Sequence, residues 1–333
     1  MKFYSMLTTS DQTTLELREA AVPEPGLHQV LVQMRAASLN RGEFIVGHGL
    51  QKAGTAKAVG MEGAGEIVKR GAGVASLVVG ERVMGRCAGS FAEYALMDSR
   101  EAMPIPANLS WEEAAAIPLT FLVVHDMLVI QGKLAPNEWV LVTGVSSGVG
   151  VAALQVAKAL GAKVIGTSGA QDKLDRLQTQ GLDLGLRTRA GDFYDAVMKV
   201  TDGKGVNLVV NTVGGSLFAE CVRSMAFEGR LATVGYVDGV LKSEIDIQAL
   251  HAKRLMLFGV SNKMRNVEQR AAGVQRFVAD LLPAIAAGRI RPLIDKVYPF
   301  DQLAAAKSYM ESNRHVGKIV LAMPVSTPGQ EKS

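Results

Sequence analysis

The chain is 333 residues long, 48% hydrophobic and 20% charged. At roughly 150 residues per domain this length carries about two domains with a core that needs no disulfide or metal staple, and the composition excludes disordered and collagen-like chains. Thirty-six Lys and Arg against 32 Asp and Glu leave a formal charge of +4, too small an excess to make nucleic acid the expected partner.

The N-terminal MKFYSMLTTSDQTT has no continuous apolar region and no small-residue cleavage pattern, so it reads as mature sequence with the cytoplasm as expected location. The longest apolar stretch, Phe121 to Ile130, is broken by His125 and Asp126. It falls short of the roughly 18 to 20 residues a membrane span needs, so no membrane partner is expected. Cys87 and Cys221 stand alone, without a CxxC, and read as small core residues in a reducing compartment.

From Val30 to Met97, short alternating or β-branched runs (VLVQM, GEIV, FAEYALM) separated by Gly-rich turns predict a compact, mostly-β unit. From Trp139 the pattern changes to apolar strands at intervals of ~20 to 30 residues with helical pattern between them, which predicts βαβ units and a parallel sheet. The strands are WVLVT (139–143), KVIGT (163–167), a weak one near Leu184, NLVVN (207–211), RLATVG (230–235) and LMLFGV (255–260). Six parallel strands complete a dinucleotide-binding fold. A helical stretch from Arg270 to Ala287 follows, then VYPF and GKIVL, with which the chain is expected to return to the first domain. The polar tail STPGQEKS is expected to fray.

The chemistry concentrates in WVLVTGVSSGVGVAALQVAKALGAKVIGT, Trp139 to Thr167. A strand runs into a Gly- and Ser-rich turn and then a helix from Gly148 to Leu160, with Gly161 as its C-terminal cap. Small residues at Gly144, Ser147, Gly148 and Gly150 let backbone N–H groups and the positive helix end approach a pyrophosphate. The turn reads GVSSGVG rather than a strict GxGxxG, and three readings stay open. One is a dinucleotide cradle; another is a packing turn. The third is a GxSxG nucleophile elbow with Ser146 attacking and Asp238 with His251 or His315 as partners.

The second strand ends Gly166, Thr167, Ser168, Gly169 with no Asp or Glu to take a ribose 2′-hydroxyl. Small hydroxyls, Lys173 a helical turn on, and Arg187 or Arg189 after the third strand suit a 2′-phosphate, so NADPH is expected over NADH.

At this point the chain resembles the medium-chain dehydrogenase/reductases, in their zinc-independent quinone oxidoreductase branch. The matching stretches are ASLNRGE (37–43), GMEGAGEIV (60–68), AAAIPLTFL (114–122), LAPNEWVLVTGVSSGVG (134–150), QVAKALGAKVIGT (155–167), GVNLVVNTVGG (205–215), GRLATVG (229–235) and GKIVL (317–321). The resemblance implies an α/β architecture in two parts. A GroES-like, mostly-β catalytic domain is built from residues 1–120 and 268–333, and a six-stranded parallel Rossmann domain occupies 121–267. It further implies NADPH in a cleft, a small quinone, enone or enal as substrate, and a homodimer.

Zinc-dependent relatives hold catalytic zinc with a Cys near Asn40 to Gly42 and a His in a GHE motif, where this chain has Gly60, Met61, Glu62. A thioether replaces imidazole and no Cys₄ lobe exists, so no metal is expected and Glu62 becomes a structural hydrogen-bonding residue. The resemblance makes Asn40 the expected donor to the developing enolate oxygen. It places Asn40 beside the cofactor too, and Ser146, Ser147, Gly148, Val149, Ser168, Lys173, Arg187, Asn211, Val213, Gly235, Tyr236, Phe258, Val260 and Asn262 around it at carboxyl ends of parallel strands. Three departures limit it. Ile45 and Gly47 replace a Tyr and an Arg; Val123, Val124 and His125 replace Thr-Ala-Tyr, with His125 either a proton donor or a satisfied core residue; and Thr188 replaces a Tyr of the 2′-phosphate loop.

Overall fold

The computed structural model describes residues 1–8, 13–44 and 56–324. Ile45, Gly47 and the STPGQEKS tail lie outside the described residues. The chain divides into two compact units, one of residues 1–119, 267–278 and 294–333, the other of 120–266 and 279–293.

In the first unit β1 (Lys2–Thr8) pairs antiparallel with β2 (Thr13–Glu19) and with the short β4 (Lys57–Ala58), reached after β3 (Gln29–Ser38). β3 is the long central strand of a second sheet, and seven of its ten residues are buried. It pairs antiparallel with β5 (Glu62–Arg70) and with β7 (Tyr94–Asp98), while β6 (Arg82–Arg86) joins β5 to β8 (Ala102–Pro104). Gly63 and Gly65 of β5 face β3 so closely that a Cβ would sit 2.7 Å from Ala36 O and 2.1 Å from Gln33 O, which is why this strand carries glycines despite their low β-propensity. Tyr4, Met6, Val30, Val32, Phe91 and Met97 fill the core between these strands.

The second unit holds β9 (Trp139–Thr143), β10 (Lys163–Ser168), β11 (Leu184–Arg187), β12 (Val206–Asn211), β13 (Met225–Thr233) and β14 (Met256–Gly259). All pair in parallel, in the order β11-β10-β9-β12-β13-β14, the doubly wound order of dinucleotide-binding sheets. VLV of β9 and LVV of β12 are fully buried, as central strands covered on both faces must be. The helix Gly148–Ala159 is buried from Gly150 to Ala157 and ends in Leu160 and Gly161 at φ 80°. The Gly161 and Ala162 N–H groups cap the Lys158 and Ala157 carbonyls, the αL termination expected of this glycine.

Strands β15 (Ile294–Pro299) and β16 (Lys318–Ala322) run parallel to each other. β16 pairs antiparallel with β3, Val320 opposite Ser38, so the C-terminal strand closes the sheet the N-terminal strands began. Among the described residues no helix is long and apolar enough to cross a membrane.

Candidate active site

The turn after β9 is built by its glycines. Gly144 has φ 62°, and a Cβ there would lie 2.7 Å from Thr212 Oγ1. Ser147 donates its N–H to Gly144 O at 3.0 Å and caps the following helix, its Oγ accepting from Gly150 N at 3.1 Å. A Cβ on Gly150 would stand 2.5 Å from Gly144 O and 2.7 Å from Val145 Cα, so only glycine lets the helix sit this close to the turn. The first N–H groups of a helix have no intrahelical acceptor. With that of Gly150 taken by Ser147, those of Gly148 and Val149 stand at the positive end of a twelve-residue helix, a cradle suited to an anion.

Strands β9 and β12 are neighbours where the strand order reverses, the place at which such sheets bind ligands. Their ends are stapled together. Thr143 Oγ1 donates to Asn211 Oδ1 at 3.1 Å and accepts from Thr212 N at 3.0 Å, and Thr212 Oγ1 donates to Thr143 O at 2.6 Å. Asn211 Oδ1 also accepts from the N–H groups of Val213 and Gly214, both at 3.1 Å, while Nδ2 donates to Gly214 O at 2.9 Å. The fully buried Asn211 side chain therefore closes the turn that ends β12. Asp238 N donates to Val213 O, and its carboxylate accepts from Ser216 and Val240, so the turns after β12 and β13 brace each other. Partial burial would raise the Asp238 pKa, but these hydrogen bonds hold its carboxyl below the ordinary value. Because the six strands are parallel, Gly235 and Tyr236 after β13, Phe258 within β14, and the following Val260 and Asn262 share one sheet edge with the Gly144 turn.

At the end of β10 the buried Ser168 hydroxyl lies 3.5 Å from Ser146 Oγ, and Ser168 is in register with Arg187. A Cβ on Gly169 would be 2.3 Å from Arg189 Nε and 2.7 Å from its Cζ, so the Arg189 guanidinium lies across this glycine. Neither Arg187 nor Arg189 has a carboxylate partner among the described residues, and both are exposed. Lys173 is the third residue of the helix Gln171–Gln178 that follows. The sequence points to Arg187 or Arg189 at this strand end, and it is the missing Cβ of Gly169 that makes room for the Arg189 guanidinium.

In the first unit Asn40 follows β3 and occupies the centre of a buried charged cluster. Its Nδ2 donates to Glu43 Oε1 and to Glu62 Oε1, both at 2.8 Å, and its Oδ1 accepts from Lys318 Nζ at 2.7 Å. Both amide hydrogens reach carboxyl groups, so Asn40 orders this cluster at the position where the resemblance expects the donor to a substrate oxygen. Glu62, fully buried, accepts from Ser38 Oγ at 2.5 Å, Lys318 Nζ at 2.9 Å and Leu119 N at 2.7 Å. Burial, with Glu62 adding to it, pushes the Glu43 carboxyl up to about 8 against the lowering effect of the Asn40 hydrogen bond and of Lys318. Glu43 Oε2 is buried without a hydrogen-bond partner among the described residues. Burial likewise pushes the Cys87 thiol up to about 12 and the Cys221 thiol up, so both cysteines are inert.

His125 is 2% exposed and its Nε2 lies 2.8 Å from Asp280 Oδ2, while the adjacent Asp126 pairs with Arg265 at 3.1 Å. The apolar run is thus broken by two residues with polar partners of their own. Ser146 has no His partner among the described residues, and Asp238 is committed to Ser216 and Val240, so the nucleophile elbow is not assembled. Among the described residues no three His, Cys, Asp or Glu side chains are grouped to hold a metal ion.

A parallel sheet in this order with a helix-capped Gly/Ser turn, carried on one chain with a β unit of this topology, defines a dinucleotide-binding protein of the dehydrogenase type. Residues 26–107 match the alcohol dehydrogenase GroES-like domain, and residues 180–321 match a zinc-binding dehydrogenase model. The chain is 30% identical to the synaptic vesicle membrane protein VAT-1 homolog of Homo sapiens, over 97% of this chain and 84% of that one. It is 31% identical over 92% of its length to a highly reducing polyketide synthase of Purpureocillium lilacinum, of whose length it spans 12%. A mycobacterial protein solved as an NADPH complex superposes with a TM-score of 0.87 at 25% identity, over 97% of this chain and 100% of the other. A quinone oxidoreductase of Pseudomonas syringae superposes with 0.85 at 26% identity, over 96% and 99%. The chain belongs to the medium-chain dehydrogenase/reductase superfamily, in its zinc-independent, quinone-oxidoreductase-like branch.

Proposed function

We propose that the chain is an NADPH-dependent, metal-independent oxidoreductase that delivers hydride to a quinone or to the C=C bond of an α,β-unsaturated carbonyl. The observation that carries this reading is the end of β10. A Gly/Ser cradle at a helix N-terminus lies beside a strand end with no acid, where Arg187 and Arg189 have no carboxylate partner among the described residues. These residues fit NADPH: the N–H groups of Gly148 and Val149 would hold the pyrophosphate, and Ser168, Lys173, Arg187 and Arg189 the 2′-phosphate. The mycobacterial neighbour's NADPH supports the same choice.

Bound NADPH supplies a hydride from its nicotinamide. The chain's own residues bind and orient. The Thr143–Asn211–Thr212 staple holds the two central strand ends in fixed register, and the bracing of Val213, Gly214 and Asp238 fixes the turn beside them. Quinones and enones share a carbonyl conjugated to C=C, which delocalises the arriving charge and so requires less electrophilic help than a simple ketone. This suits a chain with Met61 where the zinc-dependent relatives have His. A carboxamide is too weak an acid to give up a proton, so the one that completes the reduction is assigned to solvent. A small-molecule substrate and a homodimer belong to the same proposal and rest on the family resemblance, while a cytoplasmic location rests on the two cysteines without a CxxC.

The test is NADPH oxidation in EDTA with a 1,4-naphthoquinone, a linear enone, a simple ketone and an ester. Turnover of quinone or enone, with the simple ketone at least about tenfold slower and Ser146→Ala retaining activity, is the expected result. Ester hydrolysis that Ser146→Ala abolishes, or turnover confined to the ketone, would contradict it.

A further inference from the structure

We propose that Glu43, in its neutral acid form, is the positioning residue that fixes the Asn40 turn for the reductase reaction, and that its ionisation closes the alkaline side of activity. The proposal rests on the reductase reading above for the reaction, and on the cluster's geometry alone for the proton.

The hydrogen-bond count within the cluster decides which carboxyl holds the proton. An ammonium has three N–H groups, and those of Lys318 reach Leu39 O at 3.1 Å, Asn40 Oδ1 at 2.7 Å and Glu62 Oε1 at 2.9 Å. None is left for Glu43. Glu62 is a carboxylate with every requirement met: a cation, a hydroxyl and a carboxamide on Oε1 and a backbone N–H on Oε2. Among the described residues, Glu43 accepts one N–H of Asn40 on Oε1 and nothing on Oε2, at 2% exposure. As an anion it would be an unpaired buried charge beside another carboxylate, which is among the costliest arrangements in a fold. As an acid it is neutral, and the cluster's one cation and one anion balance. Burial raises its pKa to about 8, so the neutral form prevails at pH 7.

Among the described residues, the titratable groups facing Glu43 are Glu62 from β5, Lys318 from β16 and Cys87 beyond β6. The Cys87 thiol stays protonated far above the range in question. Asn40 shares its Nδ2 between the two glutamates, so ionisation of Glu43 places two negative charges on one carboxamide and draws water to Oε2. The carboxamide and the turn it anchors, whose Asn40 O accepts from Glu43 N at 3.1 Å, then lose their single arrangement.

Two readouts on the full chain test this. The first uses no substrate: melting temperature against pH from 4.5 to 9 for wild type and Glu43→Gln. The folded chain keeps a proton that the unfolded chain has already released. The stability tied to Glu43 is therefore full below its ordinary pKa of 4.5 and lost as pH rises through about 8. Wild type should lose melting temperature relative to Glu43→Gln across that window. The second readout is kcat for NADPH oxidation with a 1,4-naphthoquinone between pH 6 and 10. Wild type should show an alkaline limb near pH 8 that Glu43→Gln removes. Glu43→Ala should lower kcat about tenfold with little change in KM, and the glutamine should rescue it. Equal melting profiles for wild type and Glu43→Gln would overturn the protonated Glu43. The melting difference present, with the alkaline kcat limb intact in Glu43→Gln, would overturn the positioning role. Wild type without turnover, but with the melting difference present, would remove the reductase reading and the role assigned here, while leaving the proton on Glu43.

Discussion

Lys318→Ala is expected to destabilise the chain by about 3–5 kcal/mol, the cost of leaving a buried charge without its partner. Lys318 is 5% exposed and Glu62 is fully buried, and all three ammonium donors are used inside the fold. Removing the ammonium strands Glu62 and frees both Leu39 O and Asn40 Oδ1, so several polar groups lose partners at once. The urea midpoint of the apo chain reads this directly. Combining Lys318→Met with Glu62→Gln should recover a large part of the loss, because the pair is then removed together. A loss below about 1 kcal/mol for Lys318→Ala would mean that water reaches the cluster and that the pair behaves as a surface one.

Gly150→Val is expected to abolish nucleotide binding while costing about 1–3 kcal/mol of stability through overpacking. Its Cβ would be driven against Gly144 O and the backbone of Val145, neither of which is the end of a flexible side chain. The helix must move off the turn, and the Gly148 and Val149 N–H groups move with it. Equilibrium titration with NADPH checks this, and affinity within about threefold of wild type would show that the helix end does not carry the phosphates.

The fold of the second unit was legible because its information is local. Six apolar runs at βαβ spacing became six parallel strands, and even the weak strand near Leu184 was placed, as Leu184–Arg187. The ends of the chain were less so. The alternation in KFYSMLT and TTLELRE went unread as strands, since β2 is largely exposed and lacks the apolar face by which a strand shows itself. The role of Asn40 was beyond reach for a different reason. Its hydrogens are taken by partners three and 22 positions away and its oxygen by one 278 positions away, and no periodicity encodes such a meeting. Resemblance supplied the residue type but not what the side chain was already holding. Asn211 repeats the lesson at shorter range, for its side chain closes the NTVGG turn. Arg189 shows the reverse case, in which a glycine that reads as a strand end marks the space a guanidinium occupies.

The central claim is tested most directly by parallel fluorescence titrations of the wild-type chain and Arg189→Ala with NADPH and NADH in EDTA. The account predicts tight NADPH binding, much weaker NADH binding, and a loss of about tenfold or more in NADPH affinity on removing the guanidinium, with NADH little changed. Equal affinity for the two nucleotides, or binding of neither, would contradict it.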